Sequence, residues 1–282
     1  METASQQPET SIPNRPMMVR EQADGLVWLR WSLMTTFPEL DHRIFTRHGG
    51  VSTGPYASLN LSYTVGDLPE RVRENRGRLR QALGGVELIS VGQIHGANTL
   101  ILSHRQGLTR GSEPQGIDIL ITDLPGVALL IKHADCQAVA LYDPVQRVIA
   151  NIHCGWRGNV QNVLGQAVGQ LARVFQSRPA DLWAGIGPSL GPCCAEFRNF
   201  RQEFPPALWG YQVRPDYFDL WQLSVDQLVA AGVPRQQIQV AGLCTRCHPE
   251  DFFSYRREKI SGRNGTVLLL RPTAAEPFAR IG

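Results

Sequence analysis

The sequence lacks any long apolar run, and this absence excludes the simplest membrane architectures. No stretch reaches the ~18 consecutive apolar residues that a helix needs to span a bilayer. Residues 1–14 are polar and have no hydrophobic centre, so they do not resemble a secretory signal. We therefore expect a disordered leader over residues 1–24, a single domain over residues 25–282, a cytoplasmic location and no membrane partner.

Concentrated charge of one sign is also missing. The chain has 28 Lys and Arg residues against 25 Asp and Glu, a net charge of +3, and its only lysines are Lys132 and Lys259. This balance is too weak to predict a nucleic-acid partner. The hydrophobic content of 43% is enough for a packed core and excludes wholesale disorder.

Cysteine is sparse, and six in 282 residues are too few for a disulfide scaffold. Without an export signal, we expect reduced thiols that serve as core residues, metal ligands or nucleophiles. Cys244 and Cys247 have the spacing of a redox motif, and Cys193 and Cys194 lie upstream. A zinc site made by these four cysteines is one interpretation. We disfavour it because adjacent cysteines seldom bind the same ion.

Extended and helical patterns follow one another along the chain without an internal repeat. Strands are predicted at 26–33, 43–46, 86–94, 100–103, 117–122, 127–133, 138–142, 148–153, 182–186, 239–243 and 266–270. Helices are predicted at 69–83, from about 159 to 175, and at 221–231. Because strands and helices do not alternate strictly, the pattern favours an α/β (α+β) fold, a layered sandwich of mixed sheets flanked by helices.

The predicted helix at 69–83 carries a charged residue on its apolar face. Asp67 is a candidate cap at its start, and Val72, Leu79 and Leu83 form the apolar stripe. Arg76 lies on the same stripe. An arginine in that place is either a side chain that extends to solvent from the edge of the core or a residue of a functional site.

Three residues with metal-binding side chains follow predicted strands: His95, Cys136 and His153. Two imidazoles and one thiolate suit Zn²⁺, and three protein ligands leave a fourth position open, as in catalytic zinc sites. The spacings of 41 and 17 residues match no zinc-finger motif. Histidines that end strands and a cysteine in the core are therefore the alternative. The zinc-deaminase signature, H-x-E followed by P-C-x-x-C, is absent.

Polar residues near these positions each have two interpretations. Arg157 lies at a predicted helix start, where backbone N–H groups favour an anion such as phosphate, or it extends into solvent. Asp135 is an acid or base, or it orients a metal ligand or caps a loop. The aromatic and basic segment 252–258 holds a base or a phosphate, or it forms an edge strand with solvated arginines.

A series of short motifs occurs in order along nearly the whole folded chain. They are Thr46-Arg47-His48-Gly49-Gly50-Val51-Ser52, Leu59-Asn60-Leu61, Gly66-Asp67, Glu74-Asn75-Arg76, Gln93-Ile94-His95-Gly96, Ala134-Asp135-Cys136, His153-Cys154-Gly155-Trp156-Arg157-Gly158, Gly187-Pro188-Ser189, Cys244-Thr245, and Phe252-Phe253-Ser254-Tyr255-Arg256-Arg257 with Gly262-Arg263. With these motifs the chain resembles the YfiH or laccase-domain family. Members are also described as purine nucleoside phosphorylases and, formerly, as multicopper polyphenol oxidases.

The resemblance implies a metal, a chemistry and partners. It implies a compact α/β sandwich in which His95, Cys136 and His153 bind a metal, which is zinc rather than copper in the better-understood members. The implied reactions are phosphorolysis of adenosine, inosine and methylthioadenosine, and deamination of adenosine. A purine nucleoside and phosphate are then the expected partners, and we expect a monomer or small homo-oligomer.

The resemblance also suggests roles for polar residues. Arg76 matches the family's Asn-Arg motif and is the expected phosphate or substrate arginine. Arg47 and Asp135 are the other expected catalytic residues, and Asn60 and Arg157 are expected to contact substrate.

The chain departs from the family pattern beside two of the ligands. The family usually has proline two residues after the cysteine, where this chain has Gln137-Ala138, and often alanine where this chain has Cys154. Neither change removes a ligand. We expect Cys154 to lie in the core, and both changes bear on substrate preference.

Two other functions stay open at this stage. The first is a copper-dependent polyphenol oxidase, although a multicopper oxidase needs many more histidines than the seven in this chain. The second is an accessory role in the editing of cell-wall precursors. Nothing in the sequence indicates a peptide-binding groove, and retention of all three ligand residues argues against a purely binding role.

Overall fold

The computed structural model describes residues 17–103 and 113–272, in which fourteen strands and six α-helices are assigned. The strands are β1 Met18–Ala23, β2 Leu26–Trp31, β3 Leu40–Phe45, β4 Glu87–Ser90, β5 Thr99–Leu102, β6 Ile119–Thr122, β7 Val127–His133, β8 Gln137–Asp143, β9 Val148–Cys154, β10 Trp183–Ile186, β11 Gln212–Arg214, β12 Tyr217–Phe218, β13 Ile238–Val240 and β14 Asn264–Leu270. The helices are α1 Pro69–Ala82, α2 Trp156–Val160, α3 Val163–Phe175, α4 Phe200–Glu203, α5 Leu220–Ala230 and α6 Tyr255–Glu258.

Two six-stranded sheets form the centre of the fold. The first has the order β1-β2-β3-β14-β7-β4, and the second has the order β13-β10-β8-β9-β6-β5. Each mixes antiparallel pairs with parallel ones, such as β4 with β7 and β5 with β6. The prediction of mixed sheets flanked by helices in an α/β fold is therefore confirmed.

The two sheets pack face to face, and β7 shows how the sequence allows this. Successive side chains of a strand point to opposite faces. Leu129 and Ile131 join the core cluster between the sheets, together with Ala140 and Tyr142 of β8. Leu130 belongs instead to the cluster on the outer face of the first sheet. A strand buried on both faces is a continuous apolar run, as the first five residues of β7 are.

Helices cover the two outer faces. On the first sheet, Leu79 of α1 packs in the cluster that contains Leu130. On the second sheet, Val168 and Leu171 of α3 and Leu228 of α5 pack on side chains of β6, β8, β9 and β10. In residues 17–103 and 113–272, no helix is long and apolar enough to cross a membrane.

The N-terminal boundary differs from the prediction. Strand β1 pairs antiparallel with β2 from Met18 opposite Trp31 to Ala23 opposite Leu26. Residues 18–23 thus belong to the first sheet, and the prediction that 1–24 is wholly a disordered leader is wrong over this segment. Every residue of β1 is half-buried or exposed, as is typical of an edge strand, and its polar residues resemble a linker in sequence. Residues 1–16 lie outside the described residues.

Three local predictions also need correction. The N-cap position of α1 is occupied by Leu68, not by Asp67. The Asp67 carboxylate instead accepts hydrogen bonds from the Ser52 hydroxyl and the Asn60 amide. The helix predicted from about 159 to 175 is divided, because Asn162 has a φ of 53° and caps α3 by accepting from Gly165. Residues 255–258 form the short helix α6, not an edge strand.

Candidate metal centre

The three predicted ligand residues come together in space. His95 lies in the loop after β4, Cys136 in the turn between β7 and β8, and His153 in β9. Their ligand atoms all lie within 4.8 Å of one another. Because Gln137 pairs with Cys154 in the β8–β9 ladder, the turn before β8 ends beside the strand that carries His153.

A residue that the sequence analysis missed organises the centre. Asp118 Oδ1 lies 2.8 Å from Nδ1 of His153. The same carboxylate accepts the backbone N–H groups of Ile94, His95 and Gly96 at 3.2, 3.0 and 2.8 Å. The contact favours a proton on Nδ1 of His153 and leaves Nε2 for a metal. In the sequence, the one local feature that could have drawn attention to Asp118 is its charge directly before an apolar strand.

The backbone near the ligands adopts conformations that are uncommon outside glycine. His95 has a φ of 63° and Asp135 has a φ of 93°. Such conformations persist where the surroundings hold them, and they cluster at functional sites. Gly155 is required for a different reason, since a Cβ there would lie 2.9 Å from Cys136 Sγ and 3.1 Å from His95 Cδ2.

The electrostatics of the three side chains favour a cation. Burial alone raises the pKa of the Cys136 thiol, but the charge of His153 and hydrogen bonds from both histidines outweigh it and lower that pKa. Burial alone lowers the pKa of His153, but the Cys136 sulfur and the Asp118 carboxylate outweigh this effect, so that the pKa is raised. A thiolate beside an imidazolium is thus the favoured pair, and a divalent cation can replace the imidazolium proton.

The donor set fits zinc. Zinc binds histidine nitrogen and cysteine sulfur at about 2.0–2.3 Å, so one ion can reach three ligand atoms that lie this close together. Asp118 supplies the carboxylate partner that metal-bound histidines commonly have. The structure thus brings the three predicted residues together as a possible metal-binding group, whereas metal binding by them and the identity of the metal stay predictions.

The three residues lie on the wall of an open cavity of about 720 Å³. This is within the ~300–1,000 Å³ of typical small-molecule sites. The wall also carries three aromatic and four cationic side chains: Trp156, Phe197, Tyr255, Lys132, Arg157, Arg256 and Arg263. Aromatic faces suit a flat heterocycle, and the cationic groups suit an anion.

Arg157 is one of the predicted residues that the structure places on this wall. Its guanidinium lies over the ring of Trp156, 4.5 Å from the centroid. No carboxylate within residues 17–103 and 113–272 forms an ion pair with it. The helix start predicted here is the five-residue α2, so an anion at Arg157 would depend on the side chain rather than on a long helix.

Asp135 also lines the cavity, and both of its carboxylate oxygens are engaged. Oδ1 accepts from the Thr245 hydroxyl at 2.7 Å, and Oδ2 accepts from the backbone N–H of Arg256 at 2.5 Å. The residue therefore joins the turn that carries Cys136 to the loop of Thr245 and to helix α6.

Arg76 lies behind the cavity wall, on the side of Glu113. Its Nε and Nη2 donate to the Leu61 carbonyl at 2.9 and 2.7 Å, and its Nη1 lies 2.6 Å from Glu113 Oε1. Its guanidinium also lies over the ring of Tyr63, 4.4 Å from the centroid. These contacts explain the arginine on the apolar stripe of α1, but they do not bring it into the wall.

Arg47 and Asn60, predicted as a catalytic and a substrate-binding residue, are not brought to the cavity either. Arg47 donates to the Ala57 carbonyl at 2.9 Å and pairs with Glu258 at 3.3 Å. Asn60 is fully buried and donates to the Ser62 carbonyl at 3.0 Å. Because their polar atoms are engaged by the protein, both residues organise loops in this structure.

Lys132, also on the cavity wall, was not predicted as a site residue. Lys132 Nζ donates to both oxygens of Glu113 at 3.2 and 3.1 Å and to the Val91 carbonyl at 3.0 Å. Burial lowers the pKa of Lys132 to about 8, against the opposing effect of Glu113. Arg76 and Lys132 thus share Glu113, a contact between residues that are far apart in sequence.

The two departures from the family pattern are accommodated by the protein. Gln137 is buried, donates to the Leu220 carbonyl at 2.8 Å and accepts from the Ser224 hydroxyl at 2.6 Å. Cys154 lies in the core cluster beneath α3, as expected.

Comparison with known proteins agrees with this architecture. A family model described as "Multi-copper polyphenol oxidoreductase laccase" matches residues 41–271. The purine nucleoside phosphorylase of Bacteroides thetaiotaomicron is 33% identical, over 83% of this chain and 93% of that protein. Purine nucleoside phosphorylase YfiH of Escherichia coli is 33% identical, over 80% of this chain and 91% of that protein.

Solved structures have the same fold. The crystal structure of YlmD from Geobacillus stearothermophilus superposes with a TM-score of 0.81 at 31% identity and covers 92% of this chain and 100% of that chain. The structure of YfiH from Bacillus licheniformis gives a TM-score of 0.78 at 26% identity, over 88% and 97% of the two chains. The motifs, the fold, the family match and these relatives lead to one conclusion: this chain belongs to the YfiH or laccase-domain family.

Proposed function

We propose that this protein is a zinc-dependent purine nucleoside phosphorylase that acts on adenosine, inosine and methylthioadenosine. The observation that carries the proposal is the cluster of His95, Cys136 and His153 on the wall of a cavity of about 720 Å³. Relatives named purine nucleoside phosphorylase, at 33% identity over most of both chains, support the same activity.

A zinc ion held by these three side chains would supply Lewis-acid chemistry to a polar atom of the substrate. The protein itself must hold the ligands in place. Asp118 orients His153 and fixes the loop of His95, and Gly155 allows His95 and Cys136 to approach each other. Three protein ligands, rather than four, leave room for a substrate atom.

Phosphorolysis needs an anion site beside a site for the base. A phosphate oxygen forms a bond to ribose C1′ while the bond from C1′ to the purine nitrogen breaks, and its electron pair stays with the base. Arg157, Lys132 and Arg263 are the candidates to bind phosphate. Arg157 is the first candidate, since Lys132 pairs with Glu113 and Arg263 already donates to the Ser261 carbonyl at 2.8 Å. Trp156, Phe197 and Tyr255 offer aromatic faces for the purine.

Arg76 and Asp135 receive positioning roles in this proposal. Arg76 holds Glu113, which in turn contacts Lys132. Asp135 holds the Thr245 hydroxyl and the backbone of Arg256 beside the turn of Cys136. Both residues therefore act on the shape and charge of the cavity rather than on the reacting atoms.

Deamination of adenosine is a second candidate activity of the same site. Three ligands with an open fourth position are also the arrangement of zinc hydrolases that activate water. The two reactions differ in their products. Phosphorolysis releases a free base and consumes phosphate, whereas deamination converts adenosine to inosine and needs no phosphate.

The test is a product assay on purified protein of known zinc content. Adenosine, inosine and methylthioadenosine are supplied with and without phosphate to the wild type, to Cys136→Ser and to His48→Ala. Phosphate-dependent release of base that Cys136→Ser abolishes and His48→Ala retains is expected. His48 is a suitable control because it pairs with Asp251 and does not line the cavity.

Other outcomes would point to the remaining alternatives. Bound copper with oxygen-dependent oxidation of phenols would support the oxidase, although neither metal-competent group in the described ranges resembles a histidine-rich multicopper site. Stoichiometric zinc without turnover of any nucleoside would contradict the substrate assignment and make cell-wall fragments the next substrates to test.

A further inference from the structure

Four cysteines outside the metal centre converge from two loops. Cys193 and Cys194 follow β10, and Cys244 and Cys247 follow β13. Their sulfur atoms all lie within 4.8 Å of one another. Cys247 Sγ is 3.7 Å from that of Cys193 and 3.5 Å from that of Cys194, and all four thiols are free.

Tight turns explain how two adjacent cysteines reach one point. Neighbouring side chains point to opposite faces where the backbone is extended. Here the N–H of Cys194 donates to the Gly191 carbonyl at 2.9 Å, so this segment is a turn. The N–H of Cys247 donates to the Cys244 carbonyl at 3.1 Å, and a parallel bridge between Ser189 and Cys244 joins the two loops.

The two sulfur–sulfur distances match those of a tetrahedral metal site. Four Zn–S bonds of about 2.3 Å in a tetrahedron place the sulfur atoms about 3.8 Å apart. The observed 3.5 and 3.7 Å are close to this value. A disulfide would bring sulfurs together in pairs at about 2.05 Å, whereas Cys247 here contacts two other sulfurs at similar distances. Tetrahedral sites of four thiolates are typical of zinc and of iron.

We propose that these four cysteines bind a second zinc ion in a closed, structural site. Four thiolates complete the tetrahedron and leave no position for a substrate, in contrast to the three ligands of the metal centre. Zinc with four thiolates carries a net charge of −2, and two arginines lie beside it. Arg214 Nη2 donates to the Cys193 carbonyl at 2.9 Å, and the Arg246 guanidinium interacts with the Cys194 sulfur.

The second zinc site fastens one side of the substrate cavity. Leu190 and Phe197, on either side of the Cys193–Cys194 pair, line the cavity. Thr245, between the other two cysteines, donates to Asp135. The Leu190 N–H also donates to the Asp135 carbonyl at 2.8 Å. Binding zinc would therefore fix the distance between this wall and the turn that carries Cys136.

The test is the number of zinc ions bound by the full chain, purified from zinc-supplemented cells in a phosphine reductant. Two ions per chain are expected for the wild type, and one each for Cys136→Ser and Cys247→Ser. The zinc X-ray absorption spectrum of Cys136→Ser should fit a shell of sulfur alone. Because this variant leaves all four cysteines intact, the test does not depend on the folding of Cys247→Ser.

One zinc ion in the wild type and none in Cys136→Ser would overturn the proposal. Nitrogen in the metal shell of Cys136→Ser, iron in place of zinc, or disulfides among the four cysteines under the same reductant would do so as well. The count is independent of the phosphorylase assay. An active enzyme that binds a single zinc ion would contradict only the second zinc site. An inactive protein that binds two zinc ions would contradict only the proposed function.

Discussion

Asp118 Oδ1 lies 2.8 Å from Nδ1 of His153, and this contact couples the two histidines of the candidate metal centre, because the same carboxylate also accepts the N–H of His95. Asp118→Asn keeps the size of the side chain but turns an NH₂ group toward backbone donors. We expect zinc affinity to fall about 10- to 100-fold, as for other partners of metal-bound histidines.

Competition with a chromogenic chelator measures this loss. Asp181→Asn is the matched control, since Asp181 pairs with Arg178 at the surface, 2.7 Å away, and does not line the cavity. Zinc affinity in Asp118→Asn equal to that of the wild type would show that Asp118 is not a partner of the metal centre.

Gly155 predicts a steric effect on the same centre. An added Cβ would lie 2.9 Å from Cys136 Sγ, closer than real Cβ atoms come, so two ligands must shift in Gly155→Ala. We expect this variant to lose zinc on dialysis against a chelator that leaves the wild type loaded. Gly169→Ala is the control, because nothing lies within 4 Å of its Cβ in α3.

The control has an expected result of its own. Alanine is favoured over glycine in a helix by about 1 kcal/mol, so Gly169→Ala should raise the thermal midpoint and leave zinc binding unchanged. Retention of zinc by Gly155→Ala, as firm as in this control, would contradict the steric argument.

Much of the fold could be predicted because burial produces a strong pattern. The β7 strand is apolar at its first five positions, since it is covered on both faces, and its predicted limits of 127–133 agree with the structure. The polar edge strand β1 was missed because it is held by backbone pairing with β2 and has no apolar pattern that the sequence would reveal. The break at Asn162 was missed because a single left-handed residue hardly changes helical periodicity.

The candidate metal site was predictable only to the level of its three candidate ligands. His95, Cys136 and His153 are chemically distinctive residues at strand ends, which the resemblance then joined into one site. Asp118 and Glu113 were missed because their partners lie 35 and 37 positions away, at His153 and Arg76, and no local spacing connects them. Contacts of this kind depend on which strands become neighbours.

Lys132 predicts a pH dependence of phosphate binding. Burial lowers the pKa of its amine to about 8, so the side chain is cationic below this pH and increasingly neutral above it. We therefore expect the KM for phosphate to rise as the pH increases from 7 to 9, and the rise to flatten in Lys132→Gln. Lys259→Gln, at the other lysine of the chain, should keep the wild-type profile. A profile of Lys132→Gln identical to the wild type would show that another group is responsible.

Arg157 and Arg76 predict different failures, because one guanidinium faces the cavity and the other is held by the protein. Hydrogen bonds to charged groups contribute about 1.5–3 kcal/mol, so Arg157→Met should raise the KM for phosphate roughly 10- to 100-fold with little loss of stability. Arg76→Met leaves the Leu61 carbonyl and Glu113 without their partner, and we expect a lower thermal midpoint. Steady-state kinetics and thermal melts of both variants, with the surface variant Arg173→Met as control, measure the two effects. A wild-type KM in Arg157→Met together with a raised KM and an unchanged midpoint in Arg76→Met would exchange the two assignments and make Arg76 the phosphate ligand.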